Sequence, residues 1–153
     1  MFTENLKMKK IGLLILIVLL VCSCSNQQEI PNELDLALKN KFSNVRDIEW
    51  EFENDIWEAD FKQNNIKYST VFDKQGNWIE TEREINSIDL PKGIQDSIKT
   101  KYQEYRIKEV EYIESLSGIF YEIELKQGHK EIEVTYDELG NFIKKENDNN
   151  NDD

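Results

Sequence analysis

The apolar positions follow two different periods that alternate along the chain. Leu34, Leu38 and Phe42 are spaced by four, and the same spacing returns sixty residues later at Ile94, Ile98 and Tyr102. Each trio makes a stripe on one helix face, and Pro31 and Pro91 stand where a first turn tolerates a missing N–H. After each trio the period drops to two. Ile48-Glu49-Trp50-Glu51-Phe52 and Val110-Glu111-Tyr112 alternate like half-buried strands.

The alternating stretches also repeat. Residues 56–62 (IWEADFK) match 120–126 (FYEIELK) at an offset of 64, and 67–73 (KYSTVFD) match 131–137 (EIEVTYD). Asp73-Lys74-Gln75-Gly76-Asn77-Trp78-Ile79 is mirrored by Asp137-Glu138-Leu139-Gly140-Asn141-Phe142-Ile143. The change of offset from 60 to 64 places a small insertion in the second copy around Ser115–Gly118. Each D-x-x-G-N stretch reads as a hairpin turn, with Asp capping and Gly in the left-handed position. A calcium loop would need further oxygens at alternate positions and a distal Glu, so no metal is assigned there.

One helix on four strands is a marginal core, and two copies side by side remedy this. The expected fold is therefore α+β: two tandem helix-plus-four-strand repeats (31–84 and 90–146) in one domain, 31–146. They form one antiparallel sheet with both helices on one face.

Alternation assigns Trp57, Ala59, Phe61, Tyr68, Thr70 and Phe72 to the core, with Tyr121, Ile123, Leu125, Ile132, Val134 and Tyr136 as equivalents. Trp78 and Phe142 join the core if their turn has three residues and face outward if it has four. The other face then carries Glu58, Asp60, Lys62, Lys67, Ser69 and Val71, and in the second copy Glu122, Glu124, Lys126, Glu131, Glu133 and Thr135. A two-residue turn at Gln127-Gly128 would set Ile123 opposite Ile132, Glu124 opposite Glu131 and Glu122 opposite Glu133. The same register would pair Asp60 with Lys67. Opposed carboxylates are unfavourable, so Glu122, Glu124, Glu131 and Glu133 form a candidate binding patch for a basic protein, peptide or cation. The alternative is an acidic face that merely keeps the sheet soluble.

The N-terminal 23 residues read as a segment to be removed. Lys9 and Lys10 precede an apolar run from Ile11 to Val21. Eleven residues at ~1.5 Å each fall short of a ~30 Å hydrocarbon layer, which suits a signal-peptide core. Val21-Cys22-Ser23-Cys24 resembles the lipobox of bacterial lipoproteins, which implies lipid attachment at Cys24 and a membrane as partner. An uncleaved anchor and a soft-metal C-x-C site are the competing readings; the latter needs thiolates held in a folded site. Met8 suits initiation better than Met1, because residues 1–7 add Glu4 to the basic region. Residues 24–30 form a polar tether and 147–153 an acidic tail expected to be disordered.

Charge and composition then limit the function. The chain has 153 residues with 19 basic and 31 acidic, a net charge of −12. Without residues 1–23 the balance becomes 16 to 30, or −14 on 130 residues. Such a surface repels nucleic acid. One His, His129 in an expected turn, has no second His to work with, and no G-x-S-x-G or phosphate-cradling loop is present. An acid/base hydrolase is compatible with the many carboxylates, but strand surfaces without long loops offer no deep cleft. No cofactor is expected, and the chain reads as a non-enzyme.

The lipobox, the two helix-plus-four-strand copies, the W-x-x-x-F spacing of Trp57 and Phe61, and the D-x-x-G-N-aromatic turns together resemble the PepSY-like, beta-lactamase-inhibitor-like family of bacterial envelope proteins. The resemblance covers about residues 31–146. It implies a two-repeat sheet with helices on one side and a face free for binding, in the periplasm or at the cell surface. It carries over no catalytic residue. The expectation is a lipid-anchored envelope binding module, with an inhibitor of an envelope hydrolase as the alternative.

Overall fold

The computed structural model describes residues 29–148; the expected signal segment, Cys24, most of the tether and residues 149–153 lie outside them. Leu34 and Leu38 are the two buried residues of helix α1 (Asn32–Lys41), and Ile94 and Ile98 those of α2 (Lys92–Lys101). The spacing of four thus does what it should, turning one face of each helix inward. Pro31 and Pro91 occupy the cap positions, and their carbonyls accept from the N–H groups of Leu34 and Ile94 at 3.0 Å.

Helix α1 leads into β1 (Arg46–Glu53), β2 (Ile56–Gln63), β3 (Ile66–Asp73) and β4 (Trp78–Glu84). A linker with one 3-10 turn, Ser87–Asp89, leads to α2. Then come β5 (Arg106–Ser115), β6 (Gly118–Gln127), β7 (Lys130–Asp137) and β8 (Phe142–Asp148). All eight strands form one antiparallel sheet in chain order. The architecture is α+β. β5 and β6 are each two residues longer than β1 and β2, which is where the four-residue change of offset is absorbed.

Both helices pack on the same sheet face, over two adjoining cores. Leu34 and Leu38 meet Trp57, Ala59, Phe61 and Phe72. Ile94 and Ile98 meet Val110, Ile123, Leu125, Ile132, Val134 and Tyr136. Tyr136 is fully buried, and its hydroxyl lies 3.0 Å from Ser97 Oγ, so the one polar atom of that ring is satisfied. A polar seam lies beside the first core: Thr70 and Thr81 share a 2.8 Å hydrogen bond, and Trp78 Nε1 donates to Thr81 Oγ1.

The D-x-x-G-N turns have three-residue loops. Asp73 Oδ1 accepts from the N–H groups of Gln75 and Asn77, its Oδ2 accepts from Asn77 Nδ2, and Gly76 has φ +82°. Asp137 repeats every contact with Leu139 and Asn141, around Gly140 at φ +82°. These side-chain and backbone hydrogen bonds hold both Asp carboxyls below their usual pKa. Trp78 and Phe142 accordingly stand beside Phe72 and Tyr136 on the helix face. Trp78 packs on the first core, whereas Phe142 stays 45% exposed at the sheet edge.

Two expectations need correction. The β6–β7 turn is Gly128-His129, not Gln127-Gly128, because glycine takes the positive φ (+60°) at the first central position. The register therefore shifts by two: Ile123 faces Val134, Glu124 faces Glu133, Glu122 faces Thr135 and Lys126 faces Glu131. In β2–β3 the turn is Asn64-Asn65, both at positive φ as a type I′ turn requires, so Asp60 faces Ser69 and Lys62 faces Lys67. A shift of two keeps every side chain on its face, and the face assignments survive. Asn147 and Asp148, assigned to the acidic tail, instead pair with Ile132 and Glu131 in β8.

Candidate functional site

The helix-free face is built from the alternate positions of all eight strands. Across β4, β5 and β6 it carries Glu84 opposite Glu111 and Glu111 opposite Glu122. One row along, Glu109 faces Glu124 and Glu124 faces Glu133. In the first half Glu49 faces Asp60 and Glu51 faces Glu58. Opposed like charges each cost some tenths of a kcal/mol, so the face accumulates an unfavourable term that its sequence tolerates.

This face is not simply solvated. Val71, Ile113 and Thr135 point to it and are buried, at 5%, 6% and 4% exposure. Both apolar residues lie outside the two helix-side cores. Across the ladder Val71 is flanked by Glu58 and Glu80, and Ile113 by Glu82 on one side and Phe120 on the other. Thr135 Oγ1 and Glu122 Oε1 lie 3.3 Å apart, and Ser69 Oγ donates to Glu58 Oε1 at 2.6 Å. The carboxylates thus lie against an apolar floor, and burial raises their cost of ionisation.

The four residues expected to form the patch are not its strained part. Lys108 Nζ lies 2.7 Å from Glu124 and 3.5 Å from Glu131, and Lys126 pairs with Glu131. Lys144 Nζ reaches Glu122 at 3.2 Å, Glu133 at 3.7 Å and Glu146 at 3.8 Å. The hydrogen bond from Lys126 holds the Glu131 carboxyl below its ordinary pKa. Burial opposes the charge on Lys144, but Glu122, Glu146 and Glu133 outweigh it and raise its pKa. All four candidates do share the helix-free face, and lysines on β5, β6 and β8 stand among them.

The strain lies one step inward, on β4 and β5. Burial pushes the Glu82 carboxyl up to about 8, helped by Glu111, Glu80, Glu122 and Glu58. Glu111 rises to about 7 through burial and the carboxylates Glu109, Glu122, Glu133 and Glu84. Glu80, Glu58, Asp60 and Glu109 are raised as well, in each case chiefly by burial. Among the described residues neither Glu82 nor Glu111 forms an ion pair with a Lys or Arg. Sequence reasoning missed this centre because it weighed only the β2–β3 and β6–β7 hairpins. The signal was present in the alternation Glu80, Glu82, Glu84 and Glu109, Glu111.

Chemically, the face presents carboxylate acceptors, of which Glu82 and Glu111 are disposed by burial to keep a proton. A depression of about 210 Å³ lined by residues 100–105, Glu104 among them, lies at the C-terminal end of α2. No group of three or more potential ligands is arranged to hold a metal among the described residues.

A long antiparallel sheet backed by two helices, with its other face left acidic and open, defines the class of protein. Within that class the chain belongs to the PepSY-like, beta-lactamase-inhibitor-like family, whose model matches residues 55–144. Solved structures agree with the fold. A BLIP-like protein from Bacteroides fragilis NCTC 9343 superimposes at TM-score 0.71 with 25% identity, over 82% of this chain and 93% of that one. A DUF2874 family protein from Bacteroides uniformis ATCC 8492 gives TM-score 0.73 at 16% identity, over 77% and 89%. A protein described as periplasmic from Bacteroides eggerthii DSM 20697 gives 0.72 at 14%, over 76% and 88%. No match to a curated protein was found.

Proposed function

We propose that this chain is a lipid-anchored, non-enzymatic module of the cell envelope whose helix-free sheet face engages a basic protein or peptide. The observation that carries this is the half-buried carboxylate centre at Glu82 and Glu111, where Glu80, Glu109 and Glu122 add repulsion to the cost of burial. Lys or Arg side chains laid across β4 and β5 would relieve that repulsion and allow both groups to ionise. The anchor at Cys24 and the descent of residues 31–148 from one duplicated helix-plus-four-strand unit belong to the same reading. The support for the duplication is the recurrence of α1–β4 as α2–β8, with identical contacts in the two D-x-x-G-N turns.

The test is capture of partners from envelope extract by the anchored chain. Changing Glu58, Glu80, Glu82 and Glu111 to Gln is expected to abolish retention, while Glu33→Gln and Asp96→Asn on the helices leave it intact. Capture indifferent to the sheet face sinks the reading. An inhibitor of an envelope hydrolase is the second reading, favoured by the BLIP-like neighbour. Stoichiometric inhibition in a panel of envelope proteases and beta-lactamases would decide for it.

A further inference from the structure

The turns β1–β2, β3–β4, β5–β6 and β7–β8 all lie at one end of the sheet, as strand order and register require. The helix N-termini lie at the same end. A Cβ placed on Gly76 would sit 3.9 Å from Glu33, and one on Gly140 would sit 3.6 Å from Ile94. The described chain begins at Glu29 and enters α1 through Pro31, so residues 1–28 join the domain here.

Exposed apolar side chains gather at this end. Of the nine large ones exposed among the described residues, six belong to it: Ile30, Phe52, Leu116, Leu139, Phe142 and Ile143. Leu116 and Leu139 are turn residues exposed at 77% and 80%. Opposite them, the turn at Gly128-His129 carries no such residue, and the turn at Asn64-Asn65 has only Ile66 beside it.

From this we infer that the turn end of the sheet rests on the membrane, with Leu116 and Leu139 dipped into its interfacial layer. The inference rests on the anchor reading. From Cys24 to Pro31 the chain reaches at most about 25 Å, so a lipid there holds the turns beside the bilayer. Contact becomes effectively intramolecular and needs little intrinsic affinity. Asp55, Lys74 and Glu138 share these turns, and their net acidity selects a zwitterionic headgroup surface such as phosphatidylethanolamine over an anionic one. The strands then stand up from the membrane, and the acidic face is presented sideways to the periplasm or medium.

The experiment uses the full lipid-modified chain in vesicles of phosphatidylethanolamine and phosphatidylcholine. A polarity-sensitive fluorophore is placed at Ser117→Cys or Glu138→Cys beside the two leucines, and at Asn65→Cys or His129→Cys at the far end. The expected result is a blue shift and loss of emission to a bilayer-bound quencher at 117 and 138 only, abolished by Leu116→Gln with Leu139→Gln. Water-like, unquenched emission at all four sites in a chain that floats with the vesicles overturns the inference alone. A chain that does not float overturns the anchor reading and the inference with it.

Discussion

Glu111 stands directly opposite Glu122 on the helix-free sheet face, with Glu84 opposite it on the other side. Glu111 carries the strain of this row: burial and the surrounding carboxylates raise it to about 7, whereas Glu84 is exposed and Glu122 is paired with Lys144. Folding does not need that strain there. A hydrophobic or alternating-charge row would be more stable.

The titration of Glu82, beside this row on β4, has a definite sign. Burial raises Glu82 to about 8, well above the value of an unfolded glutamate at ~4.3. The folded state therefore holds a proton that the unfolded chain has lost, and stability falls as pH rises from about 4.5 to about 8. Glu82→Gln is expected to stabilise the domain by roughly 1–3 kcal/mol near pH 8 and to change little near pH 4.5. Urea unfolding at both pH values measures this; an equal effect at both contradicts the assignment.

Lys144 reaches Glu122, Glu133 and Glu146 together. Lys144→Met is expected to cost about 1 kcal/mol at neutral pH, with the loss shrinking as salt screens the remaining carboxylates. Denaturation of the variant across a salt series would show it. A loss independent of salt would point to packing instead.

Gly140 and Gly76 hold the same left-handed conformation, φ +82°, in their turns. Neither site lacks room: the nearest atoms to an added Cβ are at 3.6 Å and 3.9 Å, ordinary contact distances. The cost of alanine is therefore conformational, about 1–2 kcal/mol at each position and nearly equal between them. Thermal unfolding of the two single variants tests the equality. A much larger loss at Gly140 would mean that contact with Ile94 dominates.

Ser97 supplies the hydroxyl partner of buried Tyr136. Ser97→Ala leaves that phenol buried without it and is expected to cost about 1 kcal/mol. Tyr136→Phe in the same background should recover part of the loss, because both polar groups are then gone. If the double variant is as weak as the sum of the singles, the pair is not coupled.

How much of this was legible depends on the range of the interaction. The stripes at Leu34/Leu38 and Ile94/Ile98, and the Asp73 and Asp137 turns, are set by residues within four positions of each other, so spacing alone exposes them. The face assignments survived because strand alternation is unaffected by a register shift of two. The partners across β2–β3 and β6–β7 did not, because a turn displaced by one residue re-pairs the whole hairpin. Glu82 and Glu111 were the hardest to see: β4 and β5 are separated by the entire linker and α2, and their register is set by packing, not by a turn.

The sheet face as a binding surface is most directly tested by photocrosslinking in the cells that make the protein. A photoreactive residue replaces Glu58 or Glu109 on the helix-free face, or Leu36 or Lys99 on the exposed sides of the helices. The expected result is a discrete adduct with a basic partner from the two sheet-face positions and none from the helix positions. Adducts arising from the helices while the sheet face stays silent would contradict the account.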